Sequence, residues 1–217
     1  MLLRGYNDNP TITFNGSTFG GITDKLLGGG SHTVLNLNMN APVTIRNLMI
    51  TGAYGVDKRG IYMIKGNLTL DTGAIICGNT AHVPDVGGWG GGIYQTGGEV
   101  TLKSGAYISL NLADGMGGGV AVRGSGKFNL EGGEISYNKQ SLNTGGGGGV
   151  YVHHGAVFNC YSGCIKNNQL TITSGDATGS GVLRQFDTTY CYFESGNPAD
   201  YIYDNYPNGV QYNSRGY

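Results

Sequence analysis

A glycine followed by a β-branched residue opens one unit after another along this chain: Gly60-Ile61, Gly92-Ile93, Gly119-Val120, Gly149-Val150 and Gly181-Val182. The intervals are 32, 27, 30 and 32 residues. Repetition at this period is the signature of stacked supersecondary units, and it constrains the fold more than any single motif does. Each unit carries a second alternating segment: Leu68-Thr69-Leu70, Val100-Thr101-Leu102, Phe128-Asn129-Leu130, Phe158-Asn159-Cys160 and Cys191-Tyr192-Phe193. A glycine corner follows (Gly73, Gly105, Gly133, Gly163, Gly196), and then a third short segment that ends in Asn79, Asn111, Asn138, Asn168 or Asn205.

Segments of period two, too short for helices, read as strands. Consecutive hairpins would also alternate, but they give no reason for one asparagine per unit at a fixed place. A coil of three short strands per turn does. Stacked coils put equivalent residues about 4.8 Å apart, so the five asparagines predict a side-chain amide ladder along one corner. The expected fold is all-β: a right-handed parallel β-helix of about six to seven coils. Its core would hold Ile61, Met63, Ile93, Val120, Val122, Val150 and Val152 from one wall. A second wall would add Leu68, Leu70, Val100, Leu102, Phe128, Leu130 and Phe158.

Glycine is 42 of the 217 residues, an excess that tight corners with positive φ and close backbone approach explain. Hydrophobic residues at 39% are enough for a core and argue against disorder. With 12% charged residues and a net charge of -1, nothing favours nucleic acid or an anionic membrane, and no apolar run is long enough for a spanning helix. The first residues, Met1-Leu2-Leu3-Arg4-Gly5, lack the apolar stretch of a secretory leader. One domain is expected over 1–217, with irregular opening coils in 1–59, regular repeats in 60–208 and the start of a further coil in 209–217.

The units GGGIYQTGGEVTLKSGAYISLN and GGGVAVRGSGKFNLEGGEISYN resemble repeats of large bacterial surface proteins with right-handed parallel β-helices, relatives of the pectate-lyase fold. VTIRNLMITG at 43–52 is similar to an opening coil of that superfamily. The resemblance implies an extracellular or cell-surface setting. It leaves open adhesin-like, stalk-like and glycan-active roles, because this fold hosts all of them.

Glycan cleavage needs carboxylates converging on one bond. Asp85, Asp114 and Asp176 are the candidates by register, each in the variable turn before an opening glycine, where aspartate also serves turns alone. His153-His154-Gly155 is the nearest approach to a catalytic histidine, and it has no carboxylate in register. No catalytic residue is therefore assigned. The glycine runs lack the spacing of calcium-binding nonapeptides and the lysine of a phosphate loop, so no metal or cofactor is expected. Tyr62, Tyr94 and Tyr151 share one outward position, interrupted by Ala121 and replaced by Leu183. Together with Trp89, the only tryptophan, they are candidate glycan contacts, although tyrosine also suits a sheet surface by itself. Turn length varies on one side of the coil, between the ladder asparagine and the next opening glycine, where a binding face is expected.

Cys160 and Cys191 fall on inward positions offset by two residues, a poor distance for a bridge, while Cys160 and Cys164 flank one corner and leave a small loop closure open. Arg184 occupies an inward position late in the chain. The segment Gly209-Val210-Gln211-Tyr212 restarts the repeat, and neither terminus shows a cap. Two readings follow: a piece of a longer surface protein, or a subunit that continues end to end, or laterally, into a filament of copies. The expected role is structural or adhesive and non-catalytic, with carbohydrate binding or cleavage as the alternative.

Overall fold

The computed structural model describes residues 2–3, 12–19, 22–82, 88–141, 146–171, 179–185, 190–206 and 212–215. They form a parallel β-solenoid of about five turns, fewer than the six to seven expected from the repeat, with no α-helix among the described residues. The first wall is an eight-stranded parallel sheet. Its strands are Leu2–Leu3, Leu35–Asn38, Ile61–Lys65, Ile93–Gln95, Val120–Val122, Val150–Val152, Val182–Gln185 and Tyr212–Arg215.

The predicted equivalences are direct pairings. Ile61 lies beside Ile93, Ile93 beside Val120, Val120 beside Val150, and Val150 beside Val182. On the second wall Leu68, Val100, Phe128, Phe158 and Cys191 form another row. On the third, Ile50, Ile76, Ile108, Ile135, Ile165 and Ile202 do the same. Every core residue expected from the sequence has at most 1% of its surface exposed. The Phe128 and Phe158 rings stack at 6.0 Å.

A fourth, very short wall was not legible as strand. It comprises Thr80–His82, Leu112–Ala113, Lys139–Gln140 and Gln169–Leu170, paired rung to rung, with the end of Leu48–Val56 below. The first two or three residues of each variable turn thus belong to the sheet. The cause is the residue before each ladder asparagine, which takes positive φ (Gly78, Leu110, Tyr137, Asn167, Asp204). That residue swings the chain through a corner and back into extended backbone.

In the opening region Ile12–Asn15 pairs in parallel with Val43–Arg46, and among the described residues Thr18–Phe19 with Ile22 and Thr23 is the one antiparallel pairing. At the other end Tyr212 lies beside Val182, whereas the sequence alignment put Val210, which is outside the described residues, at that point of the repeat. Gln95 is a polar intruder on the inward row between Met63 and Val122. It is fully buried, and its Nδ-equivalent amide nitrogen, Nε2, donates to the carbonyls of Gly98 at 2.8 Å and Lys127 at 3.0 Å.

Two glycine columns define the corner into the first wall. Gly90, Gly117, Gly147 and Gly179 have φ of 63 to 70°, a region that costs other residues about 1 kcal/mol or more. Two residues later the need is steric. A Cβ at Gly92 would stand 2.6 Å from the Gly119 carbonyl oxygen and 2.9 Å from Nδ2 of Asn111.

Candidate functional site

The five ladder asparagines are stacked and almost completely buried. Nδ2 of Asn79 donates to Oδ1 of Asn111 at 3.0 Å, and the bond recurs at 3.0 Å from Asn111 to Asn138, from Asn138 to Asn168 and from Asn168 to Asn205. Each Oδ1 also accepts the backbone N–H of the residue one rung below, which is Ala53 for Asn79 at 3.1 Å and an asparagine for the other four, as Asn138 accepts from Asn111 at 3.0 Å. The second Nδ2 proton goes to a third-wall carbonyl, such as Ile76 for Asn111 at 2.8 Å. Donors and acceptors are therefore matched along the corner, which is what burial of an amide requires. A shorter ladder on the second wall, Asn159 to Asn129 at 2.8 Å, was not foreseen.

The candidate ligand-facing surface is the outer side of the first wall. Strand alternation turns Ile61 and Met63 inward and Tyr62 outward, and the register stacks Asn36, Tyr62, Tyr94, Ala121, Tyr151 and Leu183 in one column. Tyr62 and Tyr94 lie face to face, with ring centroids 5.4 Å apart and planes 12° apart. Tyr151 corrects the sequence reading: it is fully buried and cannot touch a glycan in this state. Ala121 leaves a gap in the column, and Trp89 folds over it, edge-on to Tyr151 at 5.4 Å and to Tyr94 at 6.3 Å. Trp89 is thus a half-buried anchor, and Ala121, Tyr151 and Leu183 form a small cluster outside the main core, with Trp89, Tyr94 and Met116 against it.

Two arginines complete this face, and sequence reasoning missed both. The Arg59 guanidinium lies 4.6 Å from the Tyr94 ring centre and 5.5 Å from that of Tyr62, and Nη2 meets Asp57 Oδ1 at 3.0 Å. Arg59 is buried, and its Nε has no hydrogen-bond partner among the described residues. Burial pulls its pKa down, and Asp57 opposes that shift. Arg123 donates to Tyr94 Oη at 3.2 Å and stacks 3.9 Å above the Trp89 ring. Such contacts are worth about 0.5–2 kcal/mol each, more when desolvated. Nothing marks either arginine in the sequence beyond its place directly before Gly60 or after Val122.

Two adjoining cavities open on this wall and share Asp57 and Tyr62. One, of about 600 Å3, is lined by Leu27, His32, Thr33, Asn36, Asp57, Lys58 and Tyr62 among others; the other, of about 320 Å3, by Asp57, Arg59, Tyr62 and Tyr94. An aromatic floor edged by hydrogen-bonding groups is the composition a polyhydroxylated ligand needs.

The candidate carboxylates do not converge on it. Asp85 and Asp176 lie outside the described residues. Asp114 lies in the bend directly after the fourth-wall strand Leu112–Ala113, where its Oδ1 accepts from Ser141 Oγ at 2.9 Å and its Oδ2 contacts Nδ1 of His82. His153 packs against Trp89 and Tyr151 at ring distances of 5.8 and 6.0 Å. Its pKa is lowered by burial first and by Arg123 second.

Among the described residues, no three His, Cys, Asp or Glu side chains group to hold a metal ion. All four cysteines are free thiols. Cys160 lies beside Phe193 and Cys191 beside Phe158, the expected two-residue offset. Burial pushes both thiols up to about 12. Cys164 points outward and donates to Glu134, which also pairs with Lys166 at 2.9 Å.

Comparison with protein-family models, with curated proteins and with solved structures gives no match.

Proposed function

We propose that the chain is a non-catalytic structural or adhesin-like module of an extracellular surface protein, a stiff solenoid that spaces and displays its outer faces. One observation carries this reading: the unbroken, fully satisfied asparagine ladder through five coils. A stack whose corner is locked at every rung resists bending and local opening, the property a stalk or display scaffold uses. Assembly with further copies belongs to the same proposal, because each rung of a parallel stack presents the donors and acceptors that the next rung needs. The resemblance to bacterial surface repeats supports the setting.

Electron microscopy of the purified chain, combined with light scattering, tests assembly: rods or filaments that lengthen with concentration support it, and a monodisperse monomer at high concentration removes it. A reducing-sugar assay over a polysaccharide panel tests the non-catalytic claim, which product release would overturn.

Carbohydrate binding is the second reading, supported by the stacked Tyr62–Tyr94 pair beside the two adjoining cavities. Glycan-array binding that Tyr62→Ala abolishes without loss of fold would establish it. An array with no specific signal would remove it.

A further inference from the structure

Lys58 and Arg59 stand where the later coils carry glycine. Counted back from the paired core positions Ile61, Ile93, Val120, Val150 and Val182, Arg59 corresponds to Gly91, Gly118, Gly148 and Ser180. Lys58 corresponds to Gly90, Gly117, Gly147 and Gly179. Two adjacent cations thus occupy a corner that the solenoid elsewhere builds from glycine and serine. The Arg59 guanidinium lies over the outer face, against the Tyr94 and Tyr62 rings.

Arg59 is incompletely compensated there. Its side chain is 5% exposed, whereas its one carboxylate partner, Asp57, is 74% exposed and meets Nη2 alone. A guanidinium has five N–H donors; Nε is buried with no partner, and no further hydrogen bond to this side chain forms among the described residues. An unpaired buried donor on a desolvated cation favours a second oxyanion. The space for one adjoins it: Arg59 lines the cavity of about 320 Å3 with Asp57, Tyr62 and Tyr94. Lys58 lines the neighbouring cavity and forms no ion pair among the described residues. Asp57 is the one carboxylate lining either cavity among those residues. We propose that Arg59 anchors an anion subsite and that the ligand of this face is an acidic saccharide. Its ring packs against Tyr62, and its carboxylate or sulfate ester takes the guanidinium edge that Asp57 leaves open, with Lys58 adding attraction from beside it. This narrows the carbohydrate reading, on which it rests, from sugars in general to acidic ones.

Glucuronate, a glucose sulfate ester, glucose and inorganic sulfate are titrated in turn into the isotopically labelled chain. NMR follows the Arg59 Nε–H and the backbone amides of Tyr62 and Tyr94. At least one acidic sugar is expected to shift both sets of signals and to bind roughly tenfold or more tightly than glucose, and the one that does so identifies the anionic group. Added salt weakens that binding and leaves glucose unaffected. Arg59→Gln lowers it to the level of glucose. Asp57→Asn keeps a residue type that accepts the φ of 55° at this position. It frees Nη2 and removes a competing charge, so acidic-sugar binding tightens about threefold or more. This exposed variant decides the matter even where the buried Arg59→Gln does not fold. Glucose binding as tightly as the acidic sugars, or acidic-sugar binding that Asp57→Asn leaves unchanged or weakens, overturns the subsite while the carbohydrate reading stands. Shifts with inorganic sulfate alone overturn the saccharide as ligand, and silence with every sugar removes the carbohydrate reading as well.

Discussion

Gly92 stands against Asn111 across the inside of a single coil. A Cβ on Gly92 would fall 2.9 Å from the asparagine's Nδ2 and 2.6 Å from the carbonyl oxygen of Gly119 one rung above. The two most regular features of the sequence, the opening glycine and the closing asparagine, are thus one packing unit.

Gly92→Ala is accordingly expected to destabilise the fold. The nearest atoms are backbone and a hydrogen-bonded amide, which cannot yield as a flexible side chain would, so the cost is about 2–3 kcal/mol. Urea unfolding followed by circular dichroism measures it, and Gly119→Ala, with contacts at 2.7 and 2.8 Å, should cost a similar amount.

Asn111→Ala removes one rung of the ladder. It takes away the acceptor of the buried backbone N–H of Asn79 and one hydrogen bond each from Asn79 Nδ2, the Ile76 carbonyl and Asn138 Oδ1. The expected loss is about 3 kcal/mol, set by the unpaired groups rather than by the missing methylene. Asn111→Asp should cost at least as much, because a carboxylate cannot donate to Asn138. Differential scanning calorimetry of both variants would show lowered midpoints, whereas a loss within about 0.5 kcal/mol would mean the ladder contributes little.

Leu110→Gly should act in the opposite direction. Leu110 has a φ of 57° and is 66% exposed, so it bears left-handed strain without burying much surface. Relief of that strain exceeds the added unfolded-state entropy, and a gain of about 0.5–1 kcal/mol is expected in the same unfolding assay. Tyr137→Gly, at φ 56°, tests the position independently.

The buried thiols give a pH dependence. Cys160 and Cys191 are raised to about 12 in the folded chain, against about 8.5 unfolded. Their contribution is therefore fully present below about pH 8.5 and is lost as pH climbs toward 12. Labelling with an aromatic disulfide at pH 8 should leave Cys160, which is completely buried, unmodified until denaturant is added. Rapid reaction of Cys160 in the native state would contradict its burial.

Much of this fold was readable because position and chemistry repeat together. Ile61, Ile93, Val120, Val150 and Val182 are the same kind of residue at the same point of each unit, and the pairing follows directly. The fourth wall was hidden since its strands are two or three residues long and mixed in character, as in Thr80–His82 and Lys139–Gln140. Periodicity has no purchase on segments that short. The candidate site was half legible. Alternation placed Tyr62, Tyr94 and Tyr151 in one column, but burial of Tyr151 depends on Trp89 crossing from a turn about sixty residues away in sequence. Arg59 and Arg123 owe their roles to neighbours on other coils and carry no local signature.

Hydrogen exchange of the asparagine side-chain amides, resolved by NMR, tests the stacked geometry most directly. The account predicts that the Nδ2 protons of Asn79, Asn111, Asn138, Asn168 and Asn205 exchange orders of magnitude more slowly than those of exposed Asn197, with the central three slowest. Rates for these five that match Asn197 would mean that the asparagines are not stacked along one corner, and the solenoid described above would be wrong.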